Sequence, residues 1–264
     1  MSNPAVTYER EMVPVLFRPW VAPLLDLARP APGEHVLDLA CGTGIVARLV
    51  APHVAPAGRV VGVDLNPDML GVAQVEAALE GLDIEWKQGR LEVLPFAEAE
   101  FDLALCQHGL QFVPDRAAAL GEARRVLRDD GRLAMAVWRG LDHHPFWSRF
   151  NDVLVELTGI PALAAPFELG DAEELEALLV AAGFRDISIQ ARAMPAVFPD
   201  PASFVAMEID VIAAANPATQ HLDARARADL TEAAESRMAG AVREQMHDGH
   251  VVVPMHSHLV LARM

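Results

Sequence analysis

The run Glu34 to Gly44, EHVLDLACGTG, constrains this chain more than any other stretch. Glu34-His35-Val36-Leu37-Asp38-Leu39-Ala40 reads as a buried strand, Gly42-Thr43-Gly44 as a tight turn, and Ile45-Val46-Ala47 as the apolar start of a helix. Glycines at 42 and 44 let the backbone turn sharply and come close to a ligand. A buried strand running straight into a helix needs further strands beside it, and the first half of the chain supplies them. Arg59 to Asp64 (RVVGVD) is a second short apolar strand, after which Asn66 and Pro67 offer an N-cap and a first-turn proline to a helix bearing Leu70 and Ala73. Ile84 to Gln88 alternates as a third strand, and Phe101 to Cys106 is a nearly all-apolar fourth, as a central parallel strand should be. Asp115 opens a helix carrying Leu120, Ala123 and Leu127 and ending near Gly131; Leu133 to Trp138 is a fifth strand. Strands alternating with helices predict an α/β chain with a parallel sheet and right-handed crossovers.

The second half changes character. Pro145 to Thr158 predicts an amphipathic helix with Phe146, Phe150, Leu154 and Leu157 on one stripe. Asp171 and Glu174 form a capping box for a helix through Leu175, Leu178 and Leu179, closed by Gly183. Phe184 to Gln190 is a sixth strand. Asp200 and Pro201 open a helix bearing Phe204, Met207, Val211 and Ile212, and Leu222, Ala226, Leu230, Met238, Val242 and Met246 mark a long helix with a narrow apolar stripe. Val251 to Leu261 closes the set as a seventh strand. The expected organisation is an N-terminal helical segment over 1–33, a sheet core over 34–199, a helical cap over 200–248 inserted between the last two strands, and a final core strand over 249–264. The stripe on the cap serves a ligand, internal packing or a homodimer contact equally well.

A formal net charge of −16 argues against nucleic acid or an anionic membrane as partner and favours a small, neutral or cationic molecule. Two cysteines, Cys41 and Cys106, are too few for a disulfide framework or a multi-thiolate metal site, which fits a reducing cytoplasm. Glu9, Arg10 and Glu11 stand where a signal peptide needs an apolar core, and no uncharged apolar run is long enough to span a bilayer.

Two acids narrow the chemistry at the turn. Gly42 to Ala47 also satisfies the looser dinucleotide pattern GxGxxA. Asp38, four residues before the first glycine, stands where a dinucleotide fold is normally apolar; it would repel a pyrophosphate and attract a cationic amino-acid moiety. Asp64 ends the next strand, where a carboxylate can accept hydrogen bonds from both hydroxyls of a ribose, a role shared by nicotinamide enzymes.

The matching stretches VLDLACGTG (36–44), VVGVDLNPDML (60–70), LPF (94–96), FDLALCQHGLQF (101–112) and RRVLRDDGRLAMAVW (124–138) resemble the class I S-adenosylmethionine (SAM) dependent methyltransferases, in particular the ubiquinone and menaquinone biosynthesis branch. The resemblance covers about Glu34 to Trp138. It implies a Rossmann-like, doubly wound, mostly parallel seven-stranded sheet, SAM as cofactor, and methyl transfer to O, N or C of a small apolar or aromatic molecule. By the same resemblance, Asp38, Ala40, Cys41, Gly42 and Gly44 surround the methionine moiety, Asp64 holds the ribose, and Leu65 and Met69 flank the adenine. Gly89-Arg90-Leu91 falls where the family has Gly-Asp-Ala; Arg90 cannot accept a bond from the adenine amino group, which leaves the Leu91 backbone or Glu92 to do so. Gln107 and His108 fall beside the reactive methyl.

His108 is the candidate catalytic residue, orienting or deprotonating the acceptor; a histidine that merely lines the cofactor cavity is the plainer reading. Tyr8 and Arg18 belong to the N-terminal segment and are candidate cofactor contacts, with core edge and surface cation as their plain roles. His143, His144, His247, His250, His256 and His258 have neither cysteines nor an evident carboxylate partner, so no metal is expected. Two other functions stay open: a SAM-binding protein that catalyses a rearrangement or serves as a partner subunit, and a nicotinamide-dependent oxidoreductase.

Overall fold

A computed structural model describes residues 3–215 and 223–264; residues 1–2 and 216–222, including Leu222 of the expected stripe, lie outside the described residues. The chain opens with α1 (Pro4–Thr7), a π-helical segment Tyr8–Phe17 and α2 (Arg18–Ala28). There follow β1 (His35–Leu39), α3 (Ile45–Val54), β2 (Arg59–Asp64), α4 (Pro67–Leu79), β3 (Glu85–Gln88), β4 (Phe101–Gln107), α5 (Arg116–Val126) and β5 (Leu127–Trp138). Then come α6 (Pro145–Thr158), α7 (Ala172–Ala181), β6 (Arg185–Phe198), α8 (Phe204–Ala215), α9 (Ala224–Glu244), the two-residue β7 (Met246–His247) and β8 (His250–Arg263).

The sheet order is β3-β2-β1-β4-β5-β8-β6, with β7 pairing to β8. Strands β3 to β5 run parallel, and β8 pairs antiparallel to β5 from Arg132↔Arg263 to Trp138↔Ser257. The fold is therefore the expected mostly parallel α/β sheet of seven principal strands, with β7 as a short addition. Order reverses between β1 and β4, and the crevice beyond the carboxyl ends of those strands is where such sheets bind ligands.

Alternation along the strands explains the two buried faces. In β4, Leu103 and Leu105 join one apolar layer with Val46, Val50 and Leu24, while Ala104 and Cys106 join the other with Leu120, Ala123 and Leu175. In β1, Leu37 and Leu39 face the second layer and Val36 the first, so the period of two puts Asp38 on the side of α3.

Local signals hold at several ends. Asn66 Oδ1 accepts from Asp68 N (2.9 Å) and Asp171 Oδ1 accepts from the amides of Glu173 (2.8 Å) and Glu174 (2.9 Å), capping α4 and α7. The informative departures from expectation lie at element boundaries. Helix α5 stops at Val126, and Leu127 pairs with Phe101 in the sheet, because ladder bonds and burial outweigh helix propensity there. Strand β6 continues to Phe198, where Ala196 and Phe198 alternate inward. Asp200 closes a turn, accepting from Ala202 N (3.0 Å) and from the Ser203 hydroxyl (2.7 Å), so α8 begins only at Phe204. Met246 leaves the helix for β7, joined to β8 through Asp248-Gly249, both at positive φ as a two-residue hairpin requires.

The chain divides into two compact units, one comprising residues to Trp138 with Leu169–Arg192 and Ser257–Met264, the other Arg139–Glu168 with Ala193–His256. In the second, Phe146 and Trp147 of α6, Phe198 of β6 and Phe204 of α8 form an aromatic cluster, with Phe198 and Phe204 ring centroids 4.5 Å apart. The Trp147 indole N–H donates to Met255 Sδ (2.9 Å), and Asn151 Oδ1 accepts from Leu163 N (3.1 Å). The buried line of α9 is Ala234, Met238 and Ala241. No helix among the described residues is long and apolar enough to cross a membrane.

Glu208 of α8 is buried with Oε1 unpartnered, and burial pushes its carboxyl up to about 8. A carboxyl raised in the fold favours folding at acid pH, and that contribution is lost as pH rises through the folded value. Glu208→Gln is therefore expected to melt higher than the parent at pH 8.5, by roughly 5 °C, with a much smaller gain at pH 5. A thermal melt at both pH values checks it; equal shifts would mean Glu208 is not held neutral.

Candidate functional site

Three strand ends build the site. At the end of β1 the chain turns through Ala40, Gly42 and Gly44, all at positive φ, with Cys41 N donating to Val63 O (2.9 Å) and Gly44 N to Cys41 O (2.8 Å). Gly44 is required twice over: φ is +83°, and a Cβ there would lie 2.4 Å from the ring of Trp86. Trp86 also covers Gly62, its register partner on β2. At Gly109 a Cβ would lie 2.6 Å from that of Ala40, so the β1 and β4 ends touch closely.

Asp38 is buried, and its Oδ2 accepts from Ala47 N (2.9 Å) in the first turn of α3, whose own cap residue Gly44 offers no side chain. Burial pushes the Asp38 carboxyl up to about 8; the Ala47 N–H opposes that shift and the Asp64 charge adds to it. Asp64 closes β2, with Oδ2 accepting from Gly42 N (2.8 Å) and Oδ1 from Asn66 N (2.9 Å). Its carboxyl is likewise raised by burial, against the three backbone N–H groups of Asn66, Gly42 and Leu65. Asp64 thus ties the Gly-x-Gly turn to the second strand.

Beyond β2, Leu65 is exposed and Met69 half-buried. Arg90 is exposed and bonds Glu92 Oε1 (2.7 Å), while Leu91 is part of the core. The acid offered by sequence as a substitute at this position is therefore already paired with the arginine beside it.

The N-terminal segment reaches the turn. A Cβ at Gly42 would be 3.9 Å from Tyr8 Cε1, and the Tyr8 phenol is held above its ordinary range by burial, then by the charges of Asp64 and Glu9. Glu9 Oε1 bonds the buried Arg48 (2.5 Å), which also pairs with Glu80 (2.6 Å), fixing the segment to α3. Gln107 Nε2 donates to Phe17 O (2.9 Å), leaving its buried Oε1 without a partner. Arg18 begins α2 and is exposed.

His108 follows β4 at φ +52°, with its N–H donating to Ala136 O (2.8 Å). Its ring lies flat on Trp138, centroids 3.6 Å apart and planes 6° from parallel, with Trp20 edge-on at 5.9 Å and Phe17 at 6.0 Å. Nε2 lies 3.0 Å from Ser257 Oγ, whose hydroxyl donates to Val137 O (2.8 Å); Nδ1 is buried and has no hydrogen-bond partner among the described residues. Burial alone pushes the imidazole well below the ordinary histidine value, so it is neutral at physiological pH.

Tertiary structure thus brings Asp38, Ala40, Gly42, Gly44, Asp64, Gln107 and His108 to the carboxyl ends of β1, β2 and β4, with Tyr8 against the turn. Sequence reasoning missed Ser257, Trp86 and Trp138 as site-building residues. Only Trp86 left a signal, the glycine inside RVVGVD that marks a close approach. His144 is engaged by backbone: its Nδ1 donates to Gly140 O (3.0 Å) and its Nε2 accepts from His256 N (2.9 Å). No group of three metal-ligating side chains occurs among the described residues.

Residues 37–135 match the family model described as a methyltransferase domain. A 2-phytyl-1,4-naphtoquinone methyltransferase of Synechococcus elongatus is 33% identical over 189 residues, covering 64% of this chain and 79% of that protein. A solved structure from Bacillus halodurans, assigned to the methyltransferases, superposes with a TM-score of 0.62 at 24% identity over 92% of this chain and 97% of its own. The cyclase SpnF shares the fold at a TM-score of 0.56 and 20% identity, over 94% of this chain and 80% of its own.

Proposed function

The chain belongs to the class I SAM-dependent methyltransferases, and on that premise we propose that it methylates O, N or C of a small aromatic or quinonoid molecule. The observation that carries the reading is the pair of carboxyl groups, Asp38 and Asp64, flanking the Gly-x-Gly turn with, among the described residues, only backbone N–H groups as their hydrogen-bond donors. A pyrophosphate would find no positive partner there and would keep Asp38 protonated, whereas an ammonium or a sulfonium favours the ionised form of both carboxyls. Orphaned buried oxygens on Thr43 and Gln107 suit the same cationic moiety, and the first-turn N–H groups of α3 suit its carboxylate. The residues present therefore fit SAM. Asp38 and the 40–44 turn would hold its methionine end, Asp64 its ribose, and Leu65 and Met69 its adenine, with Tyr8 covering the turn.

When bound, SAM supplies a methyl group on a positively charged sulfur. The chain's own task is to exclude water and orient the acceptor. Phe17, Trp20 and Trp138 around His108 make a dry, aromatic setting for a ring compound, in keeping with the naphthoquinone relative. His108, neutral throughout the working pH range, accepts a hydrogen bond or a proton from that acceptor.

Calorimetric titration of the purified protein with S-adenosylhomocysteine, with NADH alongside, tests the cofactor. We expect micromolar binding of the first and none of the second; NADH binding alone would overturn the reading. Turnover with methyl-labelled SAM and a panel of hydroxyquinones should then label the acceptor, and His108→Ala should slow it by about 10²–10⁴-fold at unchanged homocysteine-nucleoside affinity. Product formed without label would identify a SAM-binding rearrangement catalyst instead.

A further inference from the structure

The geometry points to Ser257 as the positioning residue that fixes which ring nitrogen of His108 faces the acceptor. A hydroxyl has one proton. Ser257 Oγ spends it on Val137 O, 2.8 Å away, because a carbonyl can only accept. Toward His108 Nε2, at 3.0 Å, the same oxygen can therefore only accept, so Nε2 carries the imidazole proton. Nδ1 is then the bare lone pair, and it is the nitrogen left buried and unpartnered.

The arrangement is built by the sheet. Ser257 is fully buried on β8 and sits opposite Trp138 in the β5–β8 ladder. His108 leaves β4 on the other side of β5, its N–H on Ala136 O and its ring flat on Trp138. The chain Val137 O, Ser257 Oγ–H, His108 Nε2–H thus spans one strand, and each member is fixed by backbone pairing or stacking. Ser257 does here what a carboxylate does for the histidine of a catalytic triad, without adding a charge to an aromatic pocket.

The inference rests on the reading of His108 as the group that meets the acceptor. In that step the X–H bond of the acceptor breaks with its electron pair left on X, and the Nδ1 lone pair forms the new N–H bond. The resulting imidazolium keeps its Nε2–H on Ser257 and returns the extra proton to water after product leaves.

Nitrogen-15 NMR of the labelled full chain at neutral pH reads the tautomer directly, with His108→Ala assigning the signal. In the parent we expect two widely split ring-nitrogen shifts, with the proton on Nε2; a proton on Nδ1 would overturn the proposal without any variant being made. Ser257→Ala should draw the two shifts together as the tautomers mix, with parental S-adenosylhomocysteine affinity. Ser257→Thr, which keeps the hydroxyl, should restore the split. An unchanged tautomer in a folded Ser257→Ala protein would also refute the role. If the tautomer behaves as expected but His108→Ala keeps full turnover, the base reading fails while the positioning by Ser257 stands.

Discussion

Asp64→Ala is expected to lower affinity for S-adenosylhomocysteine by about 100-fold or more, since two charge-assisted hydrogen bonds are worth about 3–6 kcal/mol together. The carboxylate does two jobs at once. In the proposed site it would accept from the ribose hydroxyls, and it already holds the amides of Gly42 and Asn66 at 2.8 and 2.9 Å. Its loss leaves both amides without their acceptor and frees the Gly-x-Gly turn from β2. Asp64→Asn keeps the shape but has only one oxygen for two N–H groups, so its loss should be intermediate. Calorimetry on both variants, with melts to confirm folding, decides it; parental affinity in Asp64→Ala would remove Asp64 from the cofactor site.

The second large effect is in pH. Asp38, held at about 8 in the free protein, is mostly a neutral acid at pH 6, whereas an ammonium partner needs the ionised form. Each pH unit below that value costs about 1.4 kcal/mol, so affinity for S-adenosylhomocysteine should rise about tenfold from pH 6 to pH 7. The rise should level near pH 8, where the ligand's own amine begins to lose its proton. Binding at pH 6.5 should release a proton, visible as a dependence of the measured heat on the buffer's ionisation enthalpy. The stability sign agrees: a carboxyl raised in the fold contributes stability that is lost as pH rises through 8, so ligand protection against melting should be larger at pH 8 than at pH 6. Asp38→Asn should bind more weakly at pH 8 and show little pH dependence below it. A steep profile surviving in Asp38→Asn would assign the titration to another group.

Much of the frame was legible because its signals are contiguous. The apolar run of β4, the Asn66-Pro67 start of α4 and the Asp171 cap of α7 each depend on neighbours within a turn or a strand, and the structure has them where the sequence put them. Boundaries failed where pairing partners decide. Leu127 is a good helix residue that β4 takes as a strand residue, and the start of α8 moved because the Asp200 carboxylate found Ala202 N and Ser203 Oγ instead of a helix end. At the site, Asp38, Asp64 and the glycines were readable as residue types at the ends of two successive strands. The adenine side was less so, since the pairing of Arg90 with Glu92 depends on side-chain placement that no spacing reveals.

By itself the sequence determined the strand-turn-helix at 34–47, the acids beside it, and the alternation that makes a parallel sheet, because burial periodicity and turn chemistry act over a few residues. Only the tertiary structure decided which distant groups complete the site. Trp86 filling the space over Gly44 and Gly62, and Ser257 meeting His108 from 149 residues away, arise from strand order and register. No local pattern encodes such contacts, because they exist only once β8 has paired against β5 and carried a hydroxyl to the far side of the strand from His108.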